Sequence, residues 1–110
     1  MKIAQVLANT RLQTYNANNG DGIGISSSQN FLAFNNFFNT GDDCIATNAG
    51  QGAAGQASRK PVQYLWIFNN YFREGHGAFV VGSQTSAWIQ DVLVEVSILC
   101  YKYFQSEDFF

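Results

Sequence analysis

Short apolar runs broken by pairs of asparagine set the rhythm of this chain. The stretch Asn30-Phe-Leu-Ala-Phe-Asn-Asn-Phe-Phe-Asn-Thr-Gly-Asp-Asp-Cys-Ile45 matches Tyr64-Leu-Trp-Ile-Phe-Asn-Asn-Tyr-Phe-Arg-Glu-Gly-His-Gly-Ala-Phe79, with Asn35-Asn36 lying over Asn69-Asn70 at an offset of 34 residues. An earlier copy, Asn19-Gly-Asp-Gly-Ile-Gly-Ile25, lies over Gly41 to Thr47 with Asp21 on Asp43, an offset of 22. The two offsets differ by 12, the length of the Gly-rich segment Gly50 to Pro61. That segment is therefore expected to be a loop inserted into one repeat.

A unit of about 22 residues, built from β-branched and aromatic runs with Gly and Asn turns and without a helical period, predicts coils of a parallel β-helix rather than a leucine-rich or helical array. The expected organisation is one partial all-β domain over residues 1–110, about four coils, with the insertion at 50–61 and a divergent tail at 96–110. Coils stack about 4.8 Å apart, so equivalent residues form ladders. Phe34 and Phe68 are expected to stack inside, and the Asn pairs to satisfy backbone groups at the turns.

Stacking converts sequence distance into proximity. Asp21, Asp43 and Gly77 share one predicted ladder, and Gly20, Asp42 and His76 the next. Three carboxylates and the only histidine of the chain then gather on one face. Clustered carboxylates cannot all ionise freely, so at least one proton is held to higher pH than an isolated Asp would hold it. A retained proton is a general acid. Glycosidic cleavage with inversion uses such an acid on the leaving oxygen, with a carboxylate about 6.5–9.5 Å away activating water. His76, stacked over Asp42, is placed to tune that proton.

Each motif also has a plainer reading. Gly-Asp-Asp and Asn-Gly-Asp-Gly are ordinary turn sequences in which Asx side chains cap backbone groups. Asp21, Asp42 and Asp43 are hard oxygen ligands suited to calcium, although the Asp-x-Asn-x-Asp spacing is absent; a zinc site lacks enough Cys and His ligands. No metal or cofactor is expected. With six Lys and Arg against eight Asp and Glu, a net charge of −2 provides no basic field for nucleic acid. The apolar run from Ile3 to Ala8 is too short for a signal core or a membrane span. Cys44 and Cys100 are one pair, which is not a disulfide framework and leaves the redox compartment open.

At these residues the chain resembles glycoside hydrolase family 28, the polygalacturonases. Asn19-Gly20-Asp21-Gly22 is similar to the family's Asn-Thr-Asp-Gly, Gly41-Asp42-Asp43 to its Gly/Gln-Asp-Asp, and Gly75-His76-Gly77 to its Gly/Ser-His-Gly, all in family order. The run Gly75 to Glu95 resembles the bacterial exo-acting branch. The resemblance implies a right-handed, pectin-lyase-like parallel β-helix that hydrolyses α-1,4-linked galacturonan of pectin with inversion. By matching position it makes Asp42 the general acid, Asp21 and Asp43 the residues that hold and activate water, and His76 the support of the acid. Substrate contact falls to Asn19, Gly75 and Gly77. In the exo-like reading the insertion walls off one end of the cleft, where Arg59 and Lys60 meet a uronate; the plainer reading is a solvated loop.

Two departures stand out. Gly20 replaces the Thr of the first motif, a mild change beside the Asp that carries the chemistry. The family's Arg-x-Lys, which grips the uronate carboxylate, has no counterpart after His76, where only Lys102 is basic. Val96-Ser97 stands where an Asp-Asn pair is usual. The expectation is an internal piece of a longer enzyme, with little activity as cut and with apolar coil ends prone to edge-to-edge association. The longer parent would belong to a pectin-degrading bacterium, whose relatives are exported or periplasmic in some cases and cytoplasmic in others. The rival from another class is a non-catalytic β-helix that binds polysaccharide or is structural; exposed aromatics at Tyr64, Trp66, Tyr71 or Trp88 would favour it, and core packing of those rings would not. A β-helix lyase, abstracting the proton alpha to the uronate carboxylate, would need a basic residue near the acids, and Arg59, Lys60 and Arg73 match no such position.

Overall fold

The computed structural model describes residues 5–95 and 98–99. Three strands make each coil. The first coil holds β1 (Gln5–Ala8), β2 (Arg11–Gln13) and β3 (Ile23–Ser26); the second, β4 (Gln29–Phe34), β5 (Phe37–Asn39) and β6 (Ile45–Asn48). The third holds β7 (Val62–Phe68), β8 (Tyr71–Glu74) and β9 (Phe79–Val81), and β10 (Ile89–Glu95) with β11 (Ile98–Leu99) begins a fourth. Equivalent strands pair in parallel into three sheets: sheet A is β1-β4-β7-β10, sheet B is β2-β5-β8-β11 and sheet C is β3-β6-β9. The chain is a right-handed parallel β-helix.

The repeat read from the sequence is the observed register. Ile23 pairs with Ile45, 22 residues on, and Gln29 with Gln63, 34 residues on. The interior is filled by one ladder per inward position. Phe31 lies on Leu65, Ala33 on Ile67, Phe38 on Phe72 and Ile45 on Phe79, all buried.

Phe34 and Phe68 are not interior. Because strand side chains alternate, burying Phe31 and Ala33 turns Phe34 outward, and Phe34 and Phe68 stack at 5.1 Å as a half-buried pair on the outer face of sheet A. The fully buried aromatic stack is Phe38 on Phe72, at 5.0 Å.

The Asn pairs divide two tasks at the corner between sheets A and B. Asn35 and Asn69, together with Asn9, take the left-handed conformation (φ 57°, 54° and 55°), which Asn tolerates better than other residues with a side chain. Asn36 and Asn70 point inward and are buried. The Asn70 carbonyl oxygen accepts from both the backbone N–H and the side-chain amide of Asn36 (3.0 Å each), while the Asn70 amide donates to the Ala33 carbonyl (3.1 Å).

The insertion is more ordered than a loop. Gly50 to Pro61 carries a short helix, α1 (Gly52–Ser58), for which its three alanines provide helix propensity. Arg59 ends α1 in the left-handed region (φ 52°, ψ 35°), and Pro61 follows as a stop. Of the tail 96–110, only Ile98 and Leu99 lie within the described residues, and they pair with Tyr71 and Phe72 of β8. Three of the four aromatics in question are exposed: Tyr64 (53%), Trp66 (44%) and Trp88 (57%). Tyr71 is half-buried and stacks on Phe37 at 5.3 Å.

Candidate active site

The acidic residues lie in the turns that lead from sheet B to sheet C. Parallel pairing carries the stack into these turns. The Gly22 N–H donates to the Asp43 carbonyl (2.9 Å) and the Cys44 N–H to the Gly77 carbonyl (2.7 Å), which sets Asp21, Asp43 and Gly77 in one column. In the neighbouring column the Gly41 N–H donates to the Gly20 carbonyl (3.2 Å) and the His76 N–H to the Asp42 carbonyl (2.9 Å). His76 Nδ1 reaches Asp42 Oδ1 at 3.3 Å. The same Asp42 oxygen accepts the backbone N–H of Asp43 at 2.9 Å, so this carboxylate is held from two sides.

Beneath the acids is a polar support that sequence reasoning missed. Buried Thr40 donates its hydroxyl to the Asp42 carbonyl (2.8 Å), with the Glu74 carbonyl 3.1 Å away, and the Cys44 thiol donates to that Glu74 carbonyl at 3.3 Å. In coil one the Thr14 hydroxyl donates to the Gly20 carbonyl and pins the turn that carries Asp21. The signal for Thr40 was its position two residues before Asp42 inside the repeated turn. The geometry shows what that position does.

A β-bulge sits just before His76. Phe38 pairs with Phe72 but Asn39 pairs with Glu74, so Arg73 is an extra residue in coil three, and the 34-residue register returns at Ile45 and Phe79. Bulges next to sites re-aim the side chains that follow them. Gly75 then passes so close to its neighbours that a Cβ there would meet Cys44 Sγ and Thr40 Oγ1 at 2.6 Å and the Asp42 carbonyl at 2.8 Å. A Cβ at Gly77 would stand 2.4 Å from Val80 Cγ2 and 3.5 Å from Asp43 Oδ1. Close approach to buried side chains and backbone requires glycine at Gly75, whereas at Gly77 the Val80 methyl would have to give way.

Electrostatics acts on Asp21 and Asp43 in the same direction. Partial burial, followed by the charges of Asp42 and Asp21, pushes the Asp43 carboxyl above its ordinary value, with His76 and the Gly77 N–H pulling the other way. Burial and then Asp42 likewise raise Asp21, opposed by the Asp43 N–H and His76. Asp42 is mostly covered, and the His76 ring is open to solvent.

The structure thus brings Asp21, Asp42, Asp43, His76, Gly75 and Gly77 together. Asn19, two residues before Asp21, is exposed and left-handed (φ 55°), and its carbonyl accepts the Asp21 N–H at 3.1 Å. Arg59 and Lys60 are elsewhere: they follow α1, beyond the far end of β6 from Asp42 and Asp43, and both are exposed.

The glycosyl hydrolases family 28 model matches residues 1–103. The exo-poly-alpha-D-galacturonosidase of Dickeya chrysanthemi is 53% identical over 87 residues, which is 79% of this chain and 14% of that protein. A polygalacturonase of Ralstonia solanacearum is 33% identical over 76 residues, 69% of this chain and 13% of its own length. The solved structure of the Yersinia enterocolitica family 28 exopolygalacturonase superposes with a TM-score of 0.82 at 54% identity, covering 86% of this chain and 16% of that one. The chain therefore spans about a seventh of the length of these relatives. With the acid and histidine motifs stacked on successive coils and the family model running through nearly all of the sequence, the chain belongs to glycosyl hydrolases family 28.

Proposed function

We propose that these coils form the acid and base centre of a hydrolase that cleaves α-1,4-linked galacturonan from chain ends with inversion. The observation that carries the reading is the pair of stacked columns, with Asp42 in contact with His76 beside the Asp21 and Asp43 carboxyls. The exo-acting mode rests on the printed activity of the Dickeya relative at 53% identity.

In this mechanism Asp42 donates its proton to the glycosidic oxygen as the bond to the anomeric carbon breaks. Water attacks the opposite face and gives its proton to Asp21 or Asp43, so configuration inverts and one bond is exchanged for another. The raised affinity of Asp21 and Asp43 for protons suits the base role, because a carboxylate that binds a proton more tightly is the stronger base near neutral pH. His76 holds the Asp42 carboxyl in position and contacts the substrate, and Asn19 lines the entry.

Replacing the matched 87 residues of the Dickeya enzyme by this chain's own tests the reading. The chimera should release mono- or digalacturonate of inverted anomeric configuration, seen by proton NMR at early times, and its Asp42→Asn version should not. A chimera that folds and binds but releases nothing would sink the assignment. The second reading, a non-catalytic polysaccharide binder, is favoured by the exposure of Tyr64, Trp66 and Trp88. It predicts retained binding with no bell-shaped pH profile.

A further inference from the structure

Away from the acids, an open groove of about 560 Å³ runs between α1 and the start of β10. Its volume falls in the ordinary range of small-ligand sites. Gln56, Arg59, Pro61, Trp88 and Gln90 line it, and buried Ala87 is among the lining residues too. None of Asp21, Asp42, Asp43 and His76 takes part. The groove and the acidic cluster lie beyond opposite ends of the sheet C strands, which places them at different corners of the coil.

Two features mark this groove. Trp88 leaves 57% of its surface exposed, an unusual state for so large an apolar ring. Trp88 and Arg59 also both hold the left-handed backbone conformation (φ 72° and 52°), which a bulky residue adopts at a cost and keeps only where its surroundings impose it. The surroundings do so here: the Trp88 N–H donates to the Thr85 carbonyl (3.0 Å), its carbonyl accepts the Val62 N–H (3.0 Å), and the Arg59 N–H donates to the Gln56 carbonyl (3.3 Å). Trp88 and Arg59 therefore line one groove from fixed backbone. Among the described residues, no ion pair engages Arg59.

We propose that this groove is a second saccharide site, separate from the acidic cluster, that holds a uronate-bearing sugar. Trp88 offers a flat apolar face to the C–H side of a pyranose ring. Arg59 offers two parallel N–H donors to a carboxylate, a geometry that a lysine does not reproduce. The amides of Gln56 and Gln90 supply donors and acceptors for ring hydroxyls. A single cation in the lining fits one carboxylate per sugar better than the denser charge of a polyphosphate. The choice of a uronate over other acidic sugars rests on the function proposed above.

The test uses the 110-residue chain with Trp66→Phe, which leaves Trp88 as its only tryptophan, at a concentration where gel filtration gives a monomer and circular dichroism a cooperatively unfolding β-sheet. Titration with trigalacturonate should change Trp88 emission saturably. Arg59→Gln, or methyl esterification of the ligand, should weaken binding at least tenfold, whereas Asp42→Asn should leave it within twofold. Saturation-transfer NMR on the ligand, with Trp88→Phe and Trp88→Ala compared, gives a readout independent of fluorescence; relative to the parent chain, the phenyl ring should keep part of the groove's share of the transfer and alanine should lose that share, leaving only what the acidic cluster contributes. Absence of saturable change and of transfer overturns the proposal. So does binding that survives Arg59→Gln, binding that is lost in Asp42→Asn, or equal binding of inorganic phosphate. Because hydrolysis is not read, an inactive chimera together with a titrating groove would refute the proposed function alone.

Discussion

His76 Nδ1 lies 3.3 Å from Asp42 Oδ1, although the two residues are 34 apart in sequence. The pairing exists because one coil of the β-helix separates them. The bulge at Arg73 and the tight passage at Gly75 then direct the ring over that carboxylate. In the Dickeya chimera, Asp42→Asn should lower kcat by about 10²–10⁴-fold with thermal stability little changed, as loss of a positioned general acid does. His76→Gln should lower it less. The double variant should be no worse than Asp42→Asn alone, because the histidine acts through the acid. Additive losses, measured by release of reducing ends, would show that His76 works independently.

Asp21 and Asp43 supply a prediction for stability. Both are raised above the ordinary value of 3.8 by burial and by Asp42. A raised carboxyl binds protons more tightly in the folded than in the unfolded chain, so the folded state is favoured while the group is protonated. That advantage is fully present below 3.8 and is lost as pH rises through the folded value. The midpoint of thermal unfolding should therefore include a component that falls from pH 4 towards neutrality. Asp43→Asn should flatten that component and raise the midpoint at pH 7. Asp21 is more exposed, and Asp21→Asn should do less, the more so at high salt. An unchanged pH profile in Asp43→Asn would contradict the electrostatic reading.

The sequence was most legible where stacking repeats a residue type. Asn35 over Asn69 and Asp21 over Asp43 gave the register, the insertion and the acidic columns, because a β-helix enforces the same chemistry at the same position of each coil. The interior assignment of Phe34 failed on a finer point. An aromatic ladder stabilises either face of a sheet, and only the inward position of Phe31 and Ala33 settles which. The helix inside the insertion was obscured by its glycines, two of which, Gly50 and Gly55, serve a backbone crossing with no room for a Cβ (2.6 Å). Trp88 and Arg59 shared no motif, and no periodicity links them. Their groove arises from the packing of an insertion in one coil against the next.

Gly75→Ala tests the crowding under His76. The new methyl group would overlap Cys44 Sγ and Thr40 Oγ1, both buried and unable to swing into solvent. Overpacking of this kind costs about 1–3 kcal/mol. The strain should open the support under Asp42, so the Cys44 thiol should react faster with a thiol reagent in a Cys100→Ser background. A variant with native stability and a protected thiol would mean that the close approach relaxes freely.

The corner between sheets A and B separates two kinds of asparagine, and substitution should tell them apart. Asn70→Ala removes the oxygen that accepts from both the backbone and the side chain of Asn36, and it leaves the Ala33 carbonyl without the Asn70 amide. These groups are buried, so the loss should cost about 1–3 kcal/mol in chemical denaturation, the desolvation penalty of groups left unpaired. Asn35 has the other task. It is exposed and left-handed, and its side-chain oxygen accepts from the Asn69 amide. Asn35→Gly should be nearly neutral, since glycine takes that conformation without strain, whereas Asn35→Val should destabilise because a β-branched side chain does not. If Asn35→Gly and Asn70→Ala cost the same, the corner would be held by its side-chain ladder alone, and the left-handed backbone would follow from the ladder instead of being a separate requirement on the residue.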